Sequence, residues 1–214
     1  MRFKEAVSPE VVLSAARAEM IPSAWSGAWC VQKATLKEES VTEKGLLPAG
    51  TYTHLFRLTD STLYNSPPGE VVMEDTPYEL RTHLDFMIRA YGRVLVTGLG
   101  LGCVVRGLLA NPAVEHVTCI ENSPDVLKLV RPYMPTERLS IIEAEALTWT
   151  AESGQSFDCA WHDLWADRDA GQPHLDNWHM RLMFNCAKQV EFQGAWSFNR
   201  TFKRLLQTKG LNLI

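Results

Sequence analysis

This chain of 214 residues has no run approaching the roughly 18 apolar residues a membrane span requires, and its opening MRFKEAVSPEVV lacks the apolar stretch of a signal peptide. It has no CxxC pair, and none of its cysteines (Cys30, Cys103, Cys119, Cys159, Cys186) stands at metal-ligand spacing from a histidine. A disulfide framework and a zinc ribbon are thereby excluded, no metal is expected, and a reducing, cytoplasmic compartment is predicted. Positive charge is not in excess: the formal net charge is -4, so neither nucleic acid nor an anionic membrane is an expected partner. Internal repeats, heptads and low-complexity tracts are absent. So is any Ser-His-Asp or paired-carboxylate constellation. What remains is ordinary for a globular protein, with 46% hydrophobic and 21% charged residues.

Two regions differ in pattern. Residues 1–75 read as an N-terminal extension of one helix and a β-hairpin or meander. Ser8-Pro9 has the form of an N-cap followed by proline in the first turn, and predicts a helix to about residue 19. AWCVQKATL, TYTHLFRLT and EVVMED read as strands separated by Pro/Gly turns. Residues 76–214 read as an α/β domain. Thr76-Pro77-Tyr78-Glu79 has capping-box spacing and predicts a helix from Pro77 to about Ala90. RVLVTG, HVTCIE, LSIIEA, FDCAWHD and GAWSFN then alternate with helical segments, one of them expected at about 175 to 190. The pattern predicts a doubly wound, mainly parallel Rossmann-like sheet.

The chemistry concentrates in VLVTGLGLGC. A buried strand runs into Gly98, Gly100 and Gly102 and then into a helix, so the backbone can turn tightly and approach a ligand. About 20 residues on, the next strand ends in Glu121, placed to accept hydrogen bonds from ribose hydroxyls. The following strand ends in Glu143-Ala144-Glu145-Ala146, and the one after that in Asp163, at the edge where ligands of open α/β sheets bind. His162 alternates to the face opposite Asp163. His83, four residues from Glu79, reads as part of a helix-surface pair.

These motifs resemble the class I S-adenosylmethionine-dependent methyltransferases, and within them the spermidine synthase branch, from about residue 70 to 200. GLGLG is similar to the family's GxGxG loop, IEN to its ribose-binding acid, EAL to the step beside adenine, and FDCAWHD to the strand whose last aspartate enters the active site. The resemblance implies S-adenosylmethionine as cofactor, held by Gly98, Leu99, Gly100, Gly102, Glu121, Asn122, Glu145 and Ala146. It implies Asp163 as catalytic acid, with Tyr78, His83 and Trp165 toward substrate. Leu101 stands where spermidine synthases place an aspartate for the donor's amine, and Ala166 where they place a second active-site aspartate. Val96 replaces an acid common in the methyltransferases.

Methyl transfer to an acceptor that the sequence leaves open, with a small molecule favoured, is therefore the leading expectation. Aminopropyl transfer, a nicotinamide dehydrogenase and a non-catalytic binding module are the rivals. A shortened C-terminal end of the sheet is expected, with an edge that a second copy would cover to give a homodimer.

Overall fold

A computed structural model of the chain describes residues 7–58, 69–164, 190 and 192–195. Ser8 caps the first helix, α1 (Pro9–Ala15), its hydroxyl accepting the Val11 N–H at 3.3 Å. The helix stops well before residue 19. Beyond it, the Ala18 N–H and the Arg17 guanidinium both turn to Asp75, at 2.8 and 3.0 Å, and that pairing replaces further helical hydrogen bonds.

The strands of the N-terminal part are β1 (Ala24–Ser26), β2 (Trp29–Leu36), β3 (Ser40–Thr42), β4 (Gly45–Leu47), β5 (Gly50–Arg57) and β6 (Glu70–Glu74). Four of them make an antiparallel sheet in the order β1-β2-β5-β6, while β3 and β4 pair as a separate hairpin.

Helix α2 (Pro77–Arg89) starts at Thr76, whose hydroxyl accepts the Glu79 N–H at 3.4 Å. The reciprocal half of the expected capping box is not made. The Glu79 carboxylate turns instead to His83, whose Nε2 lies 3.5 Å away.

The α/β part continues as β7 (Gly92–Thr97), α3 (Cys103–Ala110), β8 (Val114–Glu121), α4 (Pro124–Val130), a 3-10 turn (Arg131–Tyr133), β9 (Leu139–Glu143), β10 (Cys159–His162) and β11 (Phe192–Ala195). All pairings among these five strands are parallel, in the order β11-β10-β7-β8-β9. This is a Rossmann-like doubly wound sheet with β7 at its centre. β7 is buried without a break from Val94 to Thr97, as a strand covered on both faces must be. β11 begins two residues ahead of the expected GAWSFN run. The helix expected at about 175 to 190 and the C-terminal end of the sheet fall outside the described residues.

The two parts share a core. α1 packs on α2 and α3, and α4 packs on β1 and β2. One apolar cluster therefore runs from Val12, Ile21 and Val31 through Leu55 to Leu95, Val105 and Ile120. A half-buried hydrogen bond crosses the same junction, with Ser26 Oγ donating to Asp125 Oδ1 at 2.7 Å. Among the described residues no helix is long and apolar enough to cross a membrane, and the four described cysteines are buried thiols outside any disulfide.

Candidate functional site

The strand order reverses at β7, with β8 and β9 on one side and β10 and β11 on the other. In open α/β sheets a crevice forms beyond the carboxyl ends of the two strands at such a reversal. Here those ends carry Gly98, one step past β7, and Asp163, one step past β10. Their backbones touch: the Asp163 N–H donates to the Thr97 carbonyl at 2.9 Å, and a Cβ on Gly98 would run into the Asp163 carbonyl. Gly98 also has φ +94°, a conformation that other residues rarely adopt. Gly102 caps α3 with its backbone alone.

Glu121, at the end of β8, ties the glycine loop to the next helix. Its Oε2 accepts the Leu99 N–H at 2.8 Å and its Oε1 accepts the Ser123 N–H at 2.8 Å. Each oxygen keeps a lone pair for a ligand. Burial pushes this carboxyl group above its ordinary value, against the opposing pull of the backbone donors around it.

The third strand end is organised by Glu145. Its Oε2 accepts from Asn122 Nδ2 at 2.9 Å, and its Oε1 accepts the Leu147 N–H at 3.0 Å. Glu145 and Ala146 line the crevice together with Asn122, whereas Glu143, the competing carboxylate in the sequence, does not.

These strand ends enclose one side of a cavity of about 530 Å³. The antiparallel sheet supplies the facing wall with Trp29, Leu55, Arg57, Val72 and Met73, and the Arg57 guanidinium lies 5.9 Å from the centre of the Trp29 ring. None of these five stands out in the sequence. No motif marks them, and only the docking of one sheet against the other brings them to the cavity.

One end of the cavity is built by Glu79 of α2 and by Asp163, with His83 between them. His83 is not on the helix surface as its pairing with Glu79 predicts: it is completely buried, and its Nε2 lies 3.5 Å from Glu79 Oε1 and 3.9 Å from Asp163 Oδ2. Its ring meets Trp161 edge-on at 5.6 Å. The sequence did hold the signal, because His83 falls in register with Leu80, Met87 and Ala90, the buried stripe of α2.

Tyr78 is placed elsewhere. Its ring lines a second cavity of about 330 Å³ beside the β3–β4 hairpin, with Lys44 Nζ 5.6 Å above it. Trp165 lies outside the described residues. His162 faces away from the main cavity, where Nδ1 stands 3.0 Å from Thr97 Oγ1 and Nε2 stands 3.1 Å from Gln193 Oε1. Burial lowers its pKa to about 4, so it is a neutral link across three strands.

Fold and site thus define a Rossmann-like α/β protein with an acid-rimmed cavity at its topological switch point. No family model matches the chain. Part of it is similar to polyamine aminopropyltransferase 1 of Streptomyces coelicolor, with 31% identity over 78 residues, or 32% of this chain and 15% of that protein. Another similarity is to ribosomal RNA small subunit methyltransferase A of Bordetella pertussis, with 36% identity over 70 residues, or 30% of this chain and 26% of that protein. Both matches thus span about a quarter or less of the curated relatives' length. Among solved structures, spermidine synthase from Thermotoga maritima aligns with a TM-score of 0.45 and 16% identity, over 78% of this chain and 53% of that one.

Proposed function

We propose that the chain binds S-adenosylmethionine in the main cavity and is a methyltransferase acting on a small molecule in the cytoplasm. Residues 76–214 are the cofactor-binding domain in this reading, and residues 1–75 are the extension that closes the cavity. The observation that carries it is Glu121, a buried carboxylate at the end of the second parallel strand that is pinned to the glycine loop by the Leu99 N–H and still has lone pairs open.

The residues present fit that cofactor. Glu121 would hold the ribose, while Ile120, Ala146 and Leu147 give an apolar slot for adenine beside the Asn122–Glu145 hydrogen bond. Backbone at Gly98, Leu99 and Gly100 lines the cavity, and Asp163 and Glu79 supply negative charge toward a cationic end. When bound, S-adenosylmethionine supplies a methyl group already activated by its sulfonium. The protein then has to align an acceptor and exclude water. Leu55, Val72 and Met73 provide the exclusion from the facing wall.

A second reading is aminopropyl transfer, and the specific observation in its favour is the Glu79–Asp163 end of the cavity, which suits a donor with an extra amine. Against it, Leu101 is fully buried and offers no carboxylate on the glycine loop.

Calorimetric titration with S-adenosylmethionine, S-adenosylhomocysteine, the decarboxylated donor and NAD separates the readings. Binding of the first two is expected. Preference for the decarboxylated donor would promote aminopropyl transfer, and a folded sample that binds none would end the proposal.

A further inference from the structure

Three methionine sulfurs pack on glycines of the glycine loop and of the helix that follows it. A Cβ added at Gly100 would run into the sulfur of Met73, one at Gly102 into that of Met134, and one at Gly107 into that of Met87. Met73 differs from the other two in its access. It lines the main cavity, whereas Met134 and the completely buried Met87 do not. Its sulfur also makes a second contact, accepting the Leu101 N–H at 3.1 Å. A thioether is a weak acceptor, and here it is set against the backbone of the loop that a ligand has to approach.

We propose that Met73 is an oxidative modification site, where a peroxide that enters the cavity converts the thioether to a sulfoxide and so closes the glycine loop to S-adenosylmethionine. The site of oxidation rests on the geometry alone, and its effect on the cofactor rests on the methyltransferase reading.

The step needs no catalytic residue. A lone pair of the sulfur attacks one peroxide oxygen, and the S–O bond forms as the O–O bond breaks. The other oxygen leaves as an alcohol, or as water from hydrogen peroxide, and takes the proton of the oxygen transferred. The sulfur loses two electrons and the peroxide gains them. Cys103, two residues past Leu101, does not compete. It is completely buried, and that burial pushes its thiol well above the ordinary value and keeps it from forming the reactive thiolate.

The product does not fit the present packing. A sulfoxide oxygen is a stronger acceptor than a thioether sulfur. If it takes over the Leu101 N–H, the sulfur must retreat by the length of the new bond, and β6 draws away from the loop. If it turns the other way, it stands in the cavity beside the backbone of Gly98, Leu99 and Gly100. Either arrangement sets a polar atom where the wall was apolar, at the place a ligand approaches. The change is reversible, because methionine sulfoxide reductases return the thioether. Bound cofactor covers the sulfur, so the loaded protein resists oxidation.

The test treats the full chain with hydrogen peroxide, follows each methionine by peptide mass spectrometry, and then measures S-adenosylhomocysteine binding by calorimetry. Met73 is expected to gain one oxygen, as is the exposed Met20, while the buried Met87 and Met134 lag behind. S-adenosylhomocysteine added beforehand should protect Met73 and not Met20. Oxidation should weaken S-adenosylhomocysteine by about tenfold or more, the scale of one lost hydrogen-bonded contact. Treatment with methionine sulfoxide reductases A and B should restore it. Met73→Leu keeps a similar volume without sulfur, and against its own untreated form it should lose less than about twofold. Met20→Leu should respond to peroxide as the wild type does.

A Met73 that stays unoxidised while Met20 is converted would overturn the site. Unchanged affinity once Met73 is oxidised, or an equal loss in Met73→Leu, would overturn its effect on the cofactor. Should Met73→Leu fail to fold, recovery of affinity in step with reduction of the Met73 peptide decides the same point without a variant. If the untreated protein does not bind S-adenosylhomocysteine, the methyltransferase reading falls. The sulfoxide at Met73, with a lowered melting temperature that the reductases reverse, then decides the modification site by itself.

Discussion

The sulfur of Met73 stands 3.1 Å from the backbone nitrogen of Leu101, so a residue of the antiparallel sheet closes over the glycine loop of the parallel one. Gly100 lies directly beneath, with φ +51°, and a Cβ added there would collide with the same sulfur. Gly100→Ala therefore brings about 1 to 2 kcal/mol of left-handed backbone strain, and the contact with Met73 besides. Loss of S-adenosylhomocysteine binding is expected in calorimetry. The double variant Gly100→Ala/Met73→Ala should regain part of it, since it removes the collision but not the strain. Wild-type affinity in the single variant would mean that the ligand does not approach this loop.

Glu121 predicts an acid limit to cofactor binding. Its carboxyl group titrates above the ordinary carboxylate value because it is buried. A ribose is recognised best by the ionised form, so affinity should start to fall at a higher pH than an exposed glutamate would give. The sign for stability is the reverse: with the folded-state value raised, the unliganded protein is most favoured below the ordinary value and loses stability as pH rises through the raised one. Glu121→Gln should flatten both dependences and weaken binding by about 1.5 to 3 kcal/mol, the range for hydrogen bonds to charged groups. Titrations of both proteins across the acid range check it.

The periodic parts of this fold were legible. Ser8 and Thr76 each accept the N–H three residues on, where a capping serine or threonine stood ahead of proline in the sequence. VLVTGLGLG led straight to the switch point, and Asp163 lies across from it. Strands β1, β3 and β4 were missed because three residues are too few to show alternation. His83 was misplaced for a different reason: an ionisable residue four positions from a glutamate suggests an exposed pair, and only its register with Leu80 and Met87 argues for burial. The Trp29 and Arg57 wall is a product of tertiary docking, and sequence spacing does not encode it.

Asn111 predicts where the helix that carries Glu79 and His83 is anchored. Its side-chain amide donates to the carbonyls of Met87, Ile88 and Ala90 at 3.0, 3.3 and 2.9 Å, closing the end of α2. These are groups that a helix terminus leaves without partners of its own. Asn111→Ala orphans them in a buried setting and should cost about 2 to 3 kcal/mol in a denaturant titration. Asn111→Asp should cost more, because it sets a carboxylate against carbonyl oxygens. A loss below about 0.5 kcal/mol, the scale of ordinary surface substitutions, would show that water serves the helix end equally well.

His162 predicts a pH window for stability that is separate from ligand binding. In the folded chain its pKa is lowered to about 4 from an ordinary 6.5, since burial disfavours the charged ring. The neutral ring carries its hydrogen on Nε2 toward Gln193 Oε1 and accepts from the Thr97 hydroxyl on Nδ1, which joins β7, β10 and β11. Between those two values the unfolded chain binds the proton and the folded chain does not. The stability that His162 contributes is therefore complete above 6.5 and is lost as pH falls toward 4. His162→Gln can donate and accept at the same two partners without titrating. The carboxylates that also protonate in this range are common to both proteins, so the difference between their unfolding curves isolates the histidine. The variant should lose less stability than the wild type between pH 6.5 and 4. Parallel curves would mean that the ring takes up its proton as readily in the fold as outside it, and the link across the three strand ends would then be ionic rather than neutral.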